Sequence, residues 1–457
     1  MEAAAPQPTP PPWERWALRL LLLAFVLAGL NHIRTQTVYG QDFLLHSTST
    51  EQLLAHPDQW FPQDFTNRPL VYWVGAASHL ILPGARVWEM AALIFIALNT
   101  LALQLLHATT RRALRSPALR LATVALAAFL PATQVGGIVY AADAVCQLPF
   151  ALAVWSLLHS LEAPTSRARL GYALLAGLAL VLGDFARFTF LALLPATAVV
   201  LGLAWRWRRI TGRQAAAIGA LALLLPALLA GWIQLRAQRQ FAGQVPHHTF
   251  NWDGTGELTW SSLLRVKRAD VRLLDAPIYW ESQLVAGQPQ YVLLVNNRYS
   301  YPALLHLSVF TDVLDYANAG QLDDGAIRPE PQQTLARWSV RLGLLISVPA
   351  LLAVLAFLVR TAAALWRPAL APGTGVLLWG TFALAWYLPI ALTLPFVAHA
   401  YEWGYWLSRL ILPALWGFAV VLFATLDELL PARRWLRGLL AAAVGAQALL
   451  HFRCLWY

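Results

Sequence analysis

Eleven apolar segments, most of them close to the roughly 20 residues that a helix needs to cross ~30 Å of hydrocarbon, occupy most of this chain. They lie at about 15–32, 86–107, 118–137, 142–161, 169–184, 187–205, 214–234, 337–359, 374–397, 406–427 and 436–452. The chain is 58% hydrophobic and only 12% charged, whereas soluble domains carry about 25% charged residues. The pattern predicts an all-α polytopic membrane protein with about 11 transmembrane helices and excludes a soluble globular fold.

The arginines of the chain predict which way it crosses the membrane. The net charge is +10, but the arginines lie mostly in short loops between apolar segments, which argues against a nucleic-acid partner. A further apolar segment, Leu70–Leu82, has thirteen residues and would cover only about 20 Å, so we expect it to be interfacial or re-entrant. If it does not span, every short basic loop lies on one side of the bilayer. The positive-inside rule then places the N-terminus in the cytoplasm and the C-terminus outside.

The same reasoning divides the chain into four parts. Residues 1–14 are expected to form a disordered cytoplasmic tail, and residues 15–235 an N-terminal transmembrane module that includes an external loop at 33–85. Residues 236–336 form a large periplasmic loop, within which Pro302–Tyr316 has helical periodicity and is expected to lie on the membrane surface. Residues 337–457 supply the last transmembrane helices.

A compositional bias indicates the source. Lys267 is the only lysine, which favours a GC-rich bacterium and hence the bacterial cytoplasmic (inner) membrane. Two cysteines, Cys146 and Cys454, form neither a disulfide framework nor a zinc site.

Ionisable side chains collect at the outer ends of the predicted helices, whose middles are almost free of charge. Six of them are candidate site residues: Asp42, Arg68, Asp143, Asp184, Arg187 and Arg409. A charge beside a membrane helix is costly, and it is usually either functional or extended to the interface. Their shared side, opposite the basic loops, predicts a site that faces outward.

These residue types suit the transfer of a group from a lipid phosphate. An arginine binds phosphate through paired hydrogen bonds and stays charged, while a carboxylate can take a proton from an attacking hydroxyl or amine. Simpler interpretations stay open for several of them. Asp42 and Asp143 could cap helices, Asp184 and Arg187 could pair with each other at i, i+3, and Arg409 could reach the interface by snorkelling.

The opening loop resembles a known family. It reads Val-Tyr-Gly-Gln-Asp42-Phe, then His56-Pro-Asp-Gln-Trp60, then Asn67-Arg-Pro-Leu-Val-Tyr-Trp73, and closes at Leu82-Pro-Gly84. This order is similar to the first external loop of GT-C glycosyltransferases, and most similar to the protein O-mannosyltransferase and aminoarabinose-transferase branch. Trp406-Leu-Ser-Arg409-Leu-Ile-Leu-Pro413 resembles a late arginine element of the same branch.

The resemblance implies a function and a role for each residue. It implies an enzyme that moves a sugar from a polyprenyl-phosphate donor to a periplasmic acceptor, which could be a lipid, a glycan or a protein. Asp42 would be the catalytic base. Donor binding would fall to Asp143, Arg187, Arg409, Arg68 and Asp184.

Three matters stay open at the level of sequence. A polymerase or ligase of lipid-linked glycans would also use external arginines and a large late loop. A membrane transporter or flippase is the alternative from another class, although transporters usually place ionisable groups near the bilayer midplane. The sequence names no certain cofactor and leaves open whether Asp143 helps to hold a divalent metal.

Overall fold

A computed structural model describes residues 10–35, 40–56, 68–81, 87–130, 133–134, 137, 142–240, 281–285, 288–292, 300–310, 332–401, 411–429 and 434–454. Within them, eight helices are long and apolar enough to cross a membrane, which confirms the polytopic all-α fold. They are Pro12–Arg34, Glu89–Ala113, Asp143–Glu162, Ser166–Ala186, Phe188–Arg206, Gly212–Ile233, Trp338–Ala363 and Thr374–Leu392. All eight coincide with predicted spans.

The α-helices follow one another along the chain with short turns between most of them. They are α1 (Pro12–Thr35), α2 (Gly40–Ala55), α3 (Leu70–Ile81), α4 (Val87–Ala113), α5 (Pro117–Phe129), α6 (Gln147–Glu162), α7 (Ser166–Ala186), α8 (Leu193–Arg206), α9 (Gly212–Gly219), α10 (Leu225–Gln240), α11 (Tyr301–Phe310), α12 (Gln332–Ala363), α13 (Thr374–Tyr401), α14 (Leu412–Leu429) and α15 (Arg434–Cys454). Short 3₁₀ turns at Ala142–Val145 and Phe188–Ala192 precede α6 and α8.

Three helices lie where the remaining spans were predicted. They are α5 with 13 residues, α14 with 18 and α15 with 21. The helix α5 is shorter than the predicted span at 118–137. The total of eleven crossings therefore stays a prediction. The helix α3 has 12 residues, about 18 Å, and it is too short to span, as expected.

The large loop between α10 and α12 contains two kinds of element. Strands β1 (Glu281–Val285) and β2 (Gln288–Val292) pair antiparallel, a hairpin that the sequence pattern did not predict. The helix α11 begins where periodicity placed it, and positions 311–316 of the predicted helix lie outside the described residues. The helix α11 packs against α12. The ring of Phe310 lies against Gly343, and Ser339 Oγ donates to Phe310 O at 2.5 Å.

The protein core is built around α13 and α6. The ring of Phe150 lies 5.8 Å from Trp379 and 5.7 Å from Trp386, centroid to centroid. Trp379 is completely buried, and its indole N–H donates to Thr109 Oγ1 on α4 at 2.9 Å. Since a buried Trp needs a partner for its N–H, this bond fixes the depth of α13 relative to α4.

The basic loops meet at one end of the bundle. Arg206 ends α8 and Trp207 follows it. Arg206 Nη2 donates to Leu365 O at 3.1 Å and Trp207 Nε1 donates to Ala364 O at 2.9 Å, both just beyond α12. Arg112 at the end of α4 pairs with Glu162 at the end of α6 at 3.1 Å. These loops, distant in sequence, therefore share one face of the molecule, as the positive-inside argument requires.

A buried carboxylate joins the first helix to that end. Glu14 has no exposed surface, accepts from Arg120 Nε and Nη2 at 2.7 and 2.6 Å, and lies 3.0 Å from His107 Nε2. A buried charge is tolerated when it is paired and hydrogen-bonded in this way. The first turn of α1 is thereby held against α4 and α5.

We predict that this basic end is cytoplasmic and that Cys454, the last residue of α15, is external. A membrane-impermeant thiol reagent applied to whole cells should label Cys454 in a Cys146→Ala protein. As a control, Arg208→Cys in a chain without Cys146 and Cys454 should label only after the cells are opened, because Arg208 lies in the exposed turn before α9. Labelling of Arg208→Cys in whole cells, with Cys454 labelled only after the cells are opened, would show that the topology is the reverse.

Candidate functional site

Two arginine–carboxylate pairs lie together at the C-terminal end of α7. Asp143, in the 3₁₀ turn before α6, forms an ion pair with Arg187, the residue that follows α7. Asp184 in the last turn of α7 pairs with Arg68, which precedes α3; Arg68 Nη2 lies 3.4 Å from Asp184 Oδ1. Four of the six predicted site residues are therefore neighbours in space.

The pairing differs from the simplest interpretation of the sequence. Asp184 and Arg187 are three residues apart, and a local i, i+3 pair was one expectation. Instead Asp184 pairs with Arg68, 116 positions away, and Arg187 pairs with Asp143. Arg187 has left the helix at this point, with φ −160° and ψ 134°, so its side chain does not lie on the face of α7 that carries Asp184.

A close contact inside the core fixes the turn that carries Arg187. The backbone N–H of Arg187 donates to Gly183 O at 2.8 Å, and Phe190 N donates to Arg187 O at 3.1 Å. The ring of Phe190 occupies the space where any side chain at Gly183 would begin. Phe190 also packs edge-on against Trp386, at 4.9 Å between centroids. Glycine at 183 therefore lets the chain fold back tightly enough to place Arg187 over Asp143.

Aromatic packing fixes the second pair. Trp73 on α3 lies 5.1 Å from Phe185, the residue after Asp184. Tyr72 beside it is fully buried. The Arg68-Pro-Leu-Val-Tyr-Trp73 segment of the opening loop thus packs onto α7, and this contact brings Arg68 to Asp184.

The helix-cap interpretations do not hold for the two aspartates concerned. The N-cap of α6 is Cys146, without a side-chain cap bond, so Asp143 stands three residues earlier and is used in the ion pair. The helix α2 begins at Gly40, so Asp42 lies inside its first turn rather than ahead of a helix at Phe43. A carboxylate in a first turn is still favoured by the helix dipole.

The remaining predicted residues are placed less completely. The backbone of Asp42 belongs to α2, which packs against α3 and so lies on the same side as the two ion pairs. Arg409 lies outside the described residues, as do Asp58 and Asp64 of the opening loop. The roles given to them stay predictions.

The charges of the site sit at the end of a helix and not at its middle. Asp184 lies 18 positions after Ser166 in α7, about 27 Å of helix, close to the ~30 Å of the hydrocarbon core. One oxygen of Asp184, Oδ2, is buried and accepts no hydrogen bond in the described part of the chain. The site therefore offers two guanidinium groups and an acceptor with spare capacity at the C-terminal end of α7.

The described residues do not contain a group of three or more His, Cys, Asp or Glu side chains placed to hold a metal ion. Asp143 and Asp184 each face an arginine. A divalent ion beside either carboxylate would stand close to a guanidinium of like charge, and this arrangement fits an anionic ligand better than a cation.

One residue near the site escaped the sequence analysis. Asn99 on α4 is buried and donates to the backbone on both sides of the loop that carries Asp143. It is uncharged, so a search for ionisable groups passed over it. An amide that directly follows the apolar run at positions 91–98 of α4 was the available signal.

Known proteins were compared with this chain by sequence and by structure. Neither the protein-family models nor the curated proteins gave a match to the sequence. Among solved structures, the archaeal oligosaccharyltransferase AglB from Archaeoglobus fulgidus, in complex with an inhibitory peptide and a dolichol-phosphate, is similar with a TM-score of 0.53 and 13% identity, over 98% of this chain and 56% of that one.

Two other structures are similar over less of the fold. ArnT from Cupriavidus metallidurans in the apo state gives a TM-score of 0.41 and 14% identity, over 91% of this chain and 77% of that chain. The protein O-mannosyltransferase complex of S. cerevisiae bound to the sugar donor gives 0.43 and 12%, over 65% of this chain and 46% of that chain. The likeness to AglB shows a shared fold, and this is the fold that the resemblance of the opening loop implies.

Two of these proteins are matched over only part of their length. This chain spans about half the length of the oligosaccharyltransferase and the mannosyltransferase. At such low identity the likeness to AglB shows the fold alone.

We predict that the site is coupled through the pairs described above and not along α7. In double-mutant cycles, Asp143→Asn and Arg187→Gln should show a coupling of about 1–3 kcal/mol, because the two side chains are in direct contact. Asp184→Asn with Arg187→Gln should be nearly additive. Thermal unfolding in detergent supplies the measurement. A larger coupling in the second cycle would show that Asp184 pairs with Arg187.

Proposed function

We propose that this protein is a membrane glycosyltransferase that moves a sugar from a polyprenyl-phosphate-linked donor to an acceptor on the periplasmic side of the bacterial cytoplasmic membrane. The observation that carries the proposal is the pair of arginines, Arg187 and Arg68, held beside carboxylates at the C-terminal end of α7. In this proposal that end faces outward. The fold shared with AglB supports it.

The arginines suit the phosphate of the donor. A polyprenyl phosphate keeps its chain in the bilayer and its phosphate at the interface, which is the level of Arg187 and Asp184. Arg187 is partly exposed, and the next residue, Phe188, presents most of its surface outward. In this proposal the guanidinium of Arg187 binds two phosphate oxygens. The isoprenoid chain then lies in the bilayer against the exposed side chain of Phe188.

The transfer itself needs a base and a stabilised leaving group. Asp42 takes the proton from the acceptor hydroxyl or amine while the oxygen or nitrogen of that group attacks the anomeric carbon of the sugar. The bond between that carbon and the phosphate oxygen breaks, and the electron pair stays on the phosphate. Arg187, Arg68 and Arg409 stabilise the charge that develops there. Asp143 and Asp184 orient the arginines and the donor.

The nature of the acceptor is not fixed by these residues. The AglB structure contains an inhibitory peptide, and for the present chain a lipid, a glycan or a protein would each offer a nucleophile to Asp42. A polymerase or ligase of lipid-linked glycans would perform the same bond exchange with a glycan as acceptor. Transport is less well supported, because the ion pairs lie near one end of α7 and not at its middle.

Arg187→Lys is expected to weaken use of the donor while the protein still inserts and folds. Lysine keeps the charge but cannot bind two phosphate oxygens in a fixed plane, so transfer at limiting donor should fall about 10-fold or more. Arg409→Lys should act in the same direction. Arg167→Lys, in the exposed first turn of α7, is the matched control and should transfer normally. Normal rates in both site variants would remove these arginines from the donor site.

Asp42→Asn is expected to bind the lipid donor and transfer poorly. The substitution keeps the size of the side chain and removes its basic carboxylate, and loss of a general base typically costs ~10²–10⁴-fold in rate. Asp58→Asn and Asp64→Asn in the same loop are controls and should be much less affected. Purified variants should be assayed for transfer and for donor binding together. A wild-type rate in Asp42→Asn would show that the base is elsewhere.

A further inference from the structure

A side-chain amide on α4 binds two described residues of the connection between α5 and α6. Asn99 Nδ2 lies 2.7 Å from Gly137 O, 3.1 Å from Ala144 O and 3.0 Å from Phe95 O, one turn earlier in its own helix. Asn99 is buried, so water does not compete for these bonds. Two carbonyls seven residues apart along the loop therefore converge on one NH₂ group.

The surrounding carbonyls decide the orientation of this amide. A flipped Asn99 would turn its Oδ1 toward three acceptors, which is electrostatically unfavourable. In the observed orientation Oδ1 is buried and accepts no hydrogen bond in the described residues. An unsatisfied buried acceptor is costly, so the bonds on the nitrogen side must be valuable enough to hold this arrangement.

The loop is shaped to receive the amide. A Cβ added at Gly137 would lie 2.5 Å from Thr133 O and 3.4 Å from Asn99 Nδ2. The first distance is shorter than real Cβ contacts, so a side chain there would push the backbone off the amide. Glycine at 137 and asparagine at 99 thus form one device.

The second loop contact of Asn99, Ala144, is adjacent to the candidate site residue Asp143. Ala144 directly follows Asp143, and Cys146 N donates to Asp143 O at 3.2 Å within the same turn. Asp143 then meets Arg187. We propose that Asn99 is a positioning residue that holds Gly137 and the Ala142–Val145 turn against α4, so that Asp143 stays in register with Arg187. What that register serves rests on the proposed function, whereas the holding itself does not.

The buried thiol of Cys146 gives a direct readout. Cys146 lies two residues beyond Ala144 and is almost completely buried, so an alkylating reagent reaches it only when this segment opens. In a Cys454→Ser protein in detergent, Asn99→Leu and Asn99→Asp should raise the rate of Cys146 alkylation by N-ethylmaleimide about 10-fold or more, because buried carbonyls lose their donor. Gly137→Ala should do the same without touching Asn99.

Thr100→Val is the matched control. Thr100 is the next residue of α4, and its hydroxyl donates only to Ile96 O within the helix. The rate of Cys146 alkylation in the Thr100→Val variant should equal the rate in the parent protein. The thermal midpoint of each variant shows whether a fast rate reflects local opening or general unfolding. Asn99 variants with the parent's rate, or with a rate that follows the thermal midpoint alone, would overturn the proposal.

A second readout concerns transfer. Loss of register at Asp143 should raise the KM for the lipid donor several-fold and leave the KM for the acceptor unchanged. A purely structural role would only reduce the amount of folded protein. If the parent protein transfers no sugar while the alkylation rates separate as expected, the proposed function fails and the positioning role stands. If transfer occurs and the Asn99 variants keep the parent's donor KM, the positioning role in the site is refuted.

Discussion

A hydrocarbon layer accepts an ionised group only where that group is paired or can reach the interface, and this constraint arranges the whole molecule. The short basic loops lie together at one end of the bundle, where Arg112 and Arg360 also pair with carboxylates. The two ion pairs of the candidate site lie at the other end. Between them the helices carry mainly apolar side chains and the aromatic core around α13. The chain thus has two chemically different ends, and the candidate site lies at the end opposite the basic loops.

The paired charges also act as long-range connections. Glu14 with Arg120 joins α1 to α5, and Arg68 with Asp184 joins the opening loop to α7. Breaking such a pair leaves one buried charge without its partner, which typically costs about 3–5 kcal/mol. Each pair therefore selects one packing of elements that apolar contacts alone would leave free to slide.

The sequence predicts the helices and the location of the site better than its contacts. Hydrophobic length alone finds the spans, and charge placement brings Asp143, Asp184, Arg187 and Arg68 to one side. Their partners could not be predicted, because the pairing of Arg68 with Asp184 depends on how Trp73 packs against Phe185. The turn at Arg187 likewise depends on a ring that fills the space above Gly183. Asn99 was missed because it carries no charge, and the hairpin at 281–292 was missed because its strands are short.

The ion pairs have a consequence for what can bind. Asp143 with Arg187 and Asp184 with Arg68 add to zero net charge, so the two pairs are electrically balanced without a counter-ion. In the proposed function, an incoming donor phosphate would compete with carboxylates that already satisfy the guanidinium groups. The donor phosphate is a diester with one negative charge, whereas the phosphate that leaves carries two. The arginines would therefore gain more from the leaving phosphate than from the bound donor, and the aspartates would favour the charge that develops during transfer over the charge present at its start.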